Sequence, residues 1–162
     1  MSEVELQKLA NLIRNGDAEA ALRQVTAATQ AAMGDADIWA TRAFVEDLLE
    51  MFDAAEASIS NALRSDPSIG NLFKRASIRL KAGHATDALT DALAVVATGE
   101  AFYHDEALLL AAEAKRRLGR WDDAMKDCEA LPENAEVWSG GLIAAREIRA
   151  QCGRMLAQRK AA

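Results

Sequence analysis

The chain has 162 residues and a formal charge of −6, with 51% hydrophobic and 27% charged residues. That balance excludes a disordered segment, and the net negative charge excludes a general nucleic-acid binder, which needs a basic surface against phosphates. Alanine and leucine prevail over β-branched residues, aromatics are 5% and there are two prolines, so helix propensity dominates throughout.

The first stretch with a helical period is Val4 to Arg14, with apolar residues at Leu6, Leu9, Ala10, Leu12 and Ile13. Its Met1-Ser2-Glu3-Val4-Glu5 start is acidic and lacks the apolar core of a secretory leader. Asn15-Gly16-Asp17 stops the helix, and Asp17 is placed to cap the next, whose stripe is Ala21, Leu22, Val25 and Ala28. Gly34-Asp35 breaks the chain again. A second pair of helices starts at Ile38-Trp39, turns near Glu50 to Asp53, and runs through Ala55, Ile59 and Ala62 to Ser65-Asp66-Pro67. A third runs Leu72 to Ala82, turns at Gly83-His84, and continues through Ala88, Ala92 and Val95 to Thr98-Gly99-Glu100. A fourth runs Asp105 to Leu118, turns at Gly119, and continues to Leu131, where Pro132 closes it.

These four pairs are copies of one pattern. Ala21, Ala55, Ala88 and Ala124 each begin an apolar stripe at offsets of four and seven. Gly16, Gly83 and Gly119 lie five residues before three of these alanines, and Ala43, Ala76 and Ala112 lie twelve before. A small residue at a helix crossing permits close approach, and one hairpin cannot bury its face alone, so the units must stack.

The pattern resembles the tetratricopeptide repeat (TPR), whose consensus reads W-x2-L-G-x2-Y…A-x3-F…P. Trp39, Ala43, Ala55-x3-Ile59 and Pro67 carry the likeness in the second unit, and Leu108, Ala112, Gly119, Trp121 and Ala124-x3-Cys128 in the fourth. The resemblance covers residues 2–133, as four repeats of about 2–35, 36–68, 69–103 and 104–133. It implies an all-α, right-handed, TPR-like solenoid of four helical hairpins plus a C-terminal capping helix. Two slots depart from the consensus. The leucine slot holds Lys8, Arg42, Arg75 and Ala111, and the tyrosine slot holds Leu12, Glu46, Arg79 and Lys115, so an irregular superhelix is expected.

In such folds the first helices line a concave groove. The resemblance therefore implies a groove lined by Leu6, Ala10 and Ile13, then Ala40, Thr41, Phe44 and Asp47, then Phe73, Lys74, Ser77 and Leu80, then Leu109, Glu113 and Arg116. Leu6, Phe44, Phe73 and Leu109 would form an exposed apolar strip, the mark of an interaction site. The alternative is that these side chains are ordinary packing, or that the C-terminal helix folds into the groove. Thr41-Arg42-Ala43, Lys74-Arg75-Ala76 and Asp127-Cys128 also resemble motifs of co-chaperone TPR domains that clamp a peptide carboxylate. Thr41, Gly70, Leu6 and Ala10 replace that clamp's donors, leaving Lys74, so a degenerate clamp that does not work is expected.

Residues 134–160 read as the capping helix, with a stripe of Trp138, Leu142, Ala145, Ile148, Cys152 and Met155. Gly140-Gly141 inside it signals either close packing against Trp121 or Leu131, or a break that sets off a short turn. Lys115, Arg116, Arg117 and Arg120, followed by Arg146, Arg149, Arg154, Arg159 and Lys160, form a basic end that is either a solvated face or a local site for an acidic partner.

No catalytic constellation is present. His84 and His104 fall in different units, and the acidic pair Asp122-Asp123 suits the first turn of a helix dipole. No metal or other cofactor is implied. Cys128 and Cys152 have no metal-ligand spacing and lie on apolar stripes, which suggests buried thiols in a reducing, cytoplasmic setting. No run long enough for a membrane span occurs, so no membrane insertion is expected. The expected function is a non-enzymatic scaffold or adaptor that binds a peptide or helix of another protein in its groove. The alternatives are a dedicated chaperone of a secreted or unstable partner, and a self-assembling structural protein.

Overall fold

The structure is a computed structural model that describes residues 3–161. It divides into two compact units, Met1–Asn71 and Leu72–Ala162. The first holds α1 (Glu3–Arg14), α2 (Ala18–Ala31), α3 (Ala36–Leu48) and α4 (Phe52–Ser65). Helix α5 (Ile69–Ala82) leads into the second unit, which continues with α6 (Ala85–Ala97), α7 (Ala101–Arg117) and α8 (Trp121–Glu129). A short antiparallel pair, β1 (Glu136–Trp138) and β2 (Leu142–Ala144), precedes α9 (Ala145–Ala161).

The small residues lie where the repeat pattern puts them. Ala21, Ala55, Ala88 and Ala124 on the second helices are sealed from solvent, as are Ala43, Ala76 and Ala112 on the first. Leu9 takes that place in α1 and is buried as well. In the first unit Leu9, Ala21, Val25, Ile38 and Val45 form one core, with Leu12, Ile13 and Leu49 packed against it. In the second a larger core joins Leu80, Leu89, Leu109, Leu110, Cys128, Ile148 and Cys152.

All four hairpins turn in the same way. The backbone N–H of Asp17, Met51, His84 and Arg120 each returns to the carbonyl five residues back, on Leu12, Glu46, Arg79 and Lys115, at 2.8–2.9 Å. This closure needs a left-handed residue just before the donor. Gly16, Gly83 and Gly119 supply it at φ of 78°, 86° and 72°, and in the second hairpin Glu50 occupies the same place at φ 57°. A side chain there is strained, whereas glycine is not.

The slots that depart from the consensus hold ion pairs and polar pairs instead of leucine and tyrosine. At the tyrosine slot of the last three hairpins, the contact joins a first-helix residue to the second-helix residue twelve positions on. Glu46, paired with Arg42 at 2.7 Å, accepts a hydrogen bond from the Ser58 hydroxyl at 2.5 Å. Arg79 reaches Asp91 at 2.7 Å, and Arg75 grips the same carboxylate with Nε and Nη2 at 2.7 and 2.8 Å. Lys115 meets Asp127 at 2.5 Å. Glu46, Ser58, Asp91 and Lys115 are buried. In the first hairpin the slot holds Leu12, packed against the core, and Gln24, twelve positions on, donates its amide to the Glu5 carbonyl at 2.7 Å. The Asp127-Cys128 dipeptide thus has a structural role, as one ion-pair acid followed by a core thiol.

Two expectations need correction. Residues 134–160 do not form one helix, because the chain runs as strands over Glu136–Trp138 and Leu142–Ala144 and the helix begins at Ala145. Gly140, at φ 70°, makes the reversal, so the glycine pair marks a break rather than close helix packing. The expected stripe therefore splits. Ala145, Ile148 and Cys152 are buried, while Trp138, Leu142 and Met155 are exposed. Helix α7 also starts at Ala101, four residues earlier than expected, so His104 lies within it.

Two stability measurements follow from these hairpins. Glu50→Gly relieves the left-handed strain and raises stability by about 1 kcal/mol, seen as a melting temperature a few degrees higher by calorimetry. Asp91→Ala leaves Arg75 and Arg79 facing each other without their shared acid and lowers stability by about 3 kcal/mol in urea titration, with Asp91→Asn losing less.

Candidate functional site

The residues expected to line the groove divide by unit. In the first, Leu6 of α1 and Phe44 of α3 stand 48% and 49% exposed, although Leu9 and Ala43 on the same helices are sealed. Ala10 is exposed, Thr41 is half-buried with its hydroxyl donating to the Asp37 carbonyl, and Asp47 is half-buried. Ile13 is half-buried against the core and Ala40 is buried, so they offer less contact area than Leu6 and Phe44. Charge adds to this picture. The first unit's sequence, Met1–Asn71, carries twelve acidic residues and five basic ones, a net of −7, whereas Leu72–Ala162 is close to neutral.

In the second unit the expected lining is largely covered. Leu80 and Leu109 are fully buried, which removes Leu109 from any exposed strip. Phe73 is half-buried against Tyr103, ring centroids 5.4 Å apart, and Lys74 is exposed. Ser77 meets Ser139 of the hairpin, and Glu113 and Arg116 line a cleft beside residues 139–144. The Ser77 and Ser139 hydroxyls lie 2.8 Å apart, and Ser139 also donates to the Ser77 carbonyl at 3.2 Å. Val137 and Ile143 enter the core beside Leu109 and Ile148, while their neighbours Trp138 and Leu142, paired across the strands, remain 73% and 45% exposed. A cleft of about 200 Å³ remains between the hairpin, α7 and α9, lined by Glu113, Arg116, Arg117, Ser139, Glu147 and Gln151 among others.

The electrostatics of this cleft are settled within α7. Glu113 is buried and accepts hydrogen bonds from Arg116 Nε and Nη2 at 2.7 Å and from Arg117 Nε at 2.6 Å. Arg117 also donates to the Leu80 carbonyl. Burial raises the Glu113 carboxyl, but the hydrogen bonds and charges of the two arginines outweigh it and hold the group below its ordinary value of 4.5. The basic cluster is thus partly consumed internally: Lys115 by Asp127, Arg116 and Arg117 by Glu113, and Arg120 by Asp123.

Cys128 and Cys152 are free and buried, and burial pushes the Cys128 thiol up to about 11. Such a thiol stays protonated at neutral pH and is a poor nucleophile. No group of three or more His, Cys, Asp or Glu among the described residues is arranged to hold a metal. No described helix is long and apolar enough to cross a membrane. Lys81, Arg117, Ser139 and Gly140, which complete the second unit's inner face, were missed by the repeat phase alone. The Gly140-Gly141 pair flanked by Val137 and Ile143 is the signal that could have revealed them.

No family model matches the sequence, and no curated protein matches it. Solved structures do match. A tetratricopeptide repeat protein from Parabacteroides merdae has a TM-score of 0.78 at 20% identity, over 96% of this chain and 60% of its own length, so this chain spans less than two thirds of that protein. YrrB, described as a TPR protein with an unusual peptide-binding site, has a TM-score of 0.67 at 18% identity, covering 80% of this chain and 66% of that one. The second TPR domain of human RPAP3, solved in complex with an HSP70 peptide, has a TM-score of 0.60 at 20% identity, covering 68% of this chain and 92% of that one. The chain therefore has the all-α tetratricopeptide-repeat fold, one that carries a peptide-binding site in YrrB and holds an HSP70 peptide in the RPAP3 domain.

The Glu113 geometry has a measurable sign. A carboxyl held low in the folded state contributes stability that is complete above pH 4.5 and is lost as pH falls below that value. The difference in urea stability between the wild type and Glu113→Gln should therefore shrink on acidification from pH 7 to pH 3.

Proposed function

We propose that this protein is a non-enzymatic interaction scaffold that binds an amphipathic helix of a partner protein on the first helices of its repeats. The observation that carries this reading is the pair Leu6 and Phe44. Each is a large apolar side chain left about half exposed on a helix that also sets a sealed residue, Leu9 or Ala43, into the core. Apolar side chains so placed cost solvation in the free protein and gain by being covered.

The charge of the first unit selects the occupant. Twelve acids against five bases favour a segment that flanks its apolar stripe with lysine or arginine, through steering and rim contacts rather than buried pairs. The peptide-binding descriptions of YrrB and RPAP3 support a peptide ligand for this fold. A carboxylate clamp is not part of the proposal. Arg42 and Arg75 of the two clamp-like triplets are engaged with Glu46 and Asp91, and Lys74 stands without the clamp's other donors.

The test is affinity capture followed by titration calorimetry with the captured partner's helical segment. Phe44→Ala combined with Leu6→Ala should weaken binding by about tenfold or more, as loss of interface anchors does. The melting temperature should stay unchanged, and raised salt should slow association. Binding that survives the double substitution would exclude this face. Capture of the chain's own copies alone would indicate self-assembly instead.

A further inference from the structure

Helix α9 is held at one end. Ala145, Ile148 and Cys152 lie in the core, and Arg149 Nη1 donates to the Cys128 carbonyl at 2.9 Å. From Gly153 to Ala161 no residue is buried. Helix α8, its main neighbour, has nine residues against the 17 of α9, so the last turns of α9 run on without it. Met155 and Leu156 continue the stripe of Ile148 and Cys152 at steps of three and four, yet Met155 is exposed and Leu156 is only half-buried. Arg154, Arg159 and Lys160 stand beside them, exposed and paired with no acid among the described residues. The whole helix carries five bases and one acid.

The first unit presents the complement. Phe44 and Leu48 lie one turn apart on α3, and Met51 follows in the turn. Each of the three is close to half exposed. Asp37 lies seven residues before Phe44 and Asp47 three after it, on the same side of the helix, and Glu50 stands beside Met51. The strip from Phe44 to Met51 spans about 10 Å and the free end of α9 about 13 Å, at about 1.5 Å per helical residue. A basic, apolar helix end and an acidic, apolar strip of similar length are thus both uncovered on one chain.

We infer that the end of α9 of one copy docks on the α3 strip of a second copy, with Met155 and Leu156 against Phe44 and Leu48, and Arg154, Arg159 and Lys160 over Asp37, Asp47 and Glu50. The inference rests on the acidic first-helix face being the binding face, and it names the occupant of that face when no partner is present. The two surfaces are different parts of the chain, so the contact is head-to-tail, each copy docking on one neighbour and receiving another. Ion pairs at such an exposed rim are weak, so the contact forms in concentrated protein and yields to a partner's helix.

Sedimentation velocity on the full chain tests it. The weight-average mass should rise about twofold between about 1 μM and about 1 mM protein. It should fall back as salt is raised from about 0.01 M to about 1 M, which shortens the screening length from about 30 Å to about 3 Å. Arg154→Glu with Arg159→Glu should stay monomeric, and so should Leu48→Lys, both melting as the wild type does. Met155→Lys and Met51→Lys replace them if either melts early. Mixed together, a helix-end variant and a strip variant should form a one-to-one pair and nothing larger, because each keeps the surface the other lacks. A wild type that stays monomeric at about 1 mM, association that both variants retain, or a mixture that does not pair would overturn the inference. Arg154→Glu with Arg159→Glu leaves Leu6 and Phe44 in place. A partner helix that binds this variant while the wild type proves monomeric therefore overturns the inference alone and leaves the proposed function standing. Pairing of the mixed variants with no partner captured supports the inference alone.

Discussion

Three of the hairpins depend on one polar contact, made between a first-helix residue and the second-helix residue twelve positions later. Glu46 with Ser58, Arg79 with Asp91, and Lys115 with Asp127 all lie beside the sealed alanines that set the helix crossing. Taking such charges out of water is costly, and the cost is recovered only when geometry and hydrogen bonding are good. Here they are. Asp91 accepts three bonds from two arginines, and Glu46 is held by both Arg42 and Ser58. The alanines bring the helices close enough for these side chains to meet, and the uniform five-residue turn fixes where along the helices they do so.

The same scaffold leaves its two units with different inner faces. In the first, large apolar side chains stand open amid acidic charge. In the second, Leu109 at the corresponding position is sealed, and Arg116 and Arg117 of the basic end are turned onto Glu113. Burial, rather than residue type, separates Leu109 from Leu6, since both occupy the same place in the repeat.

The repeat was legible because small residues recur at fixed offsets, and helix crossings tolerate little else. Ala21, Ala55, Ala88 and Ala124 were sufficient to phase four hairpins. The left-handed Glu50 was not legible, since glutamate gives no hint of a turn glycine's conformation. Nor did the sequence show that Glu46, Arg79 and Lys115 reach across to the second helix, because charged residues at consensus slots read as departures until their partners twelve residues away are seen. The terminal hairpin was misread for a different reason. Trp138, Leu142 and Ala145 fall at helical spacing by coincidence, and that period masked the alternation of Val137 and Ile143 about the two glycines. Which site residues are covered depends on that hairpin, so the second unit's inner face could not be read from repeat phase.

The buried contacts also differ from one hairpin to the next: acid with hydroxyl, two guanidiniums with one carboxylate, ammonium with carboxylate. Repetitive chains are prone to pairing a helix with the wrong copy of its neighbour during folding or between molecules. In this chain such an exchange is penalised at once. Arg79 set against Ser58, or Glu46 against Asp127, buries a charge with no counterpart. The departures from the consensus therefore act as keys, giving each helix one correct mate in an array whose apolar surfaces alone would accept several.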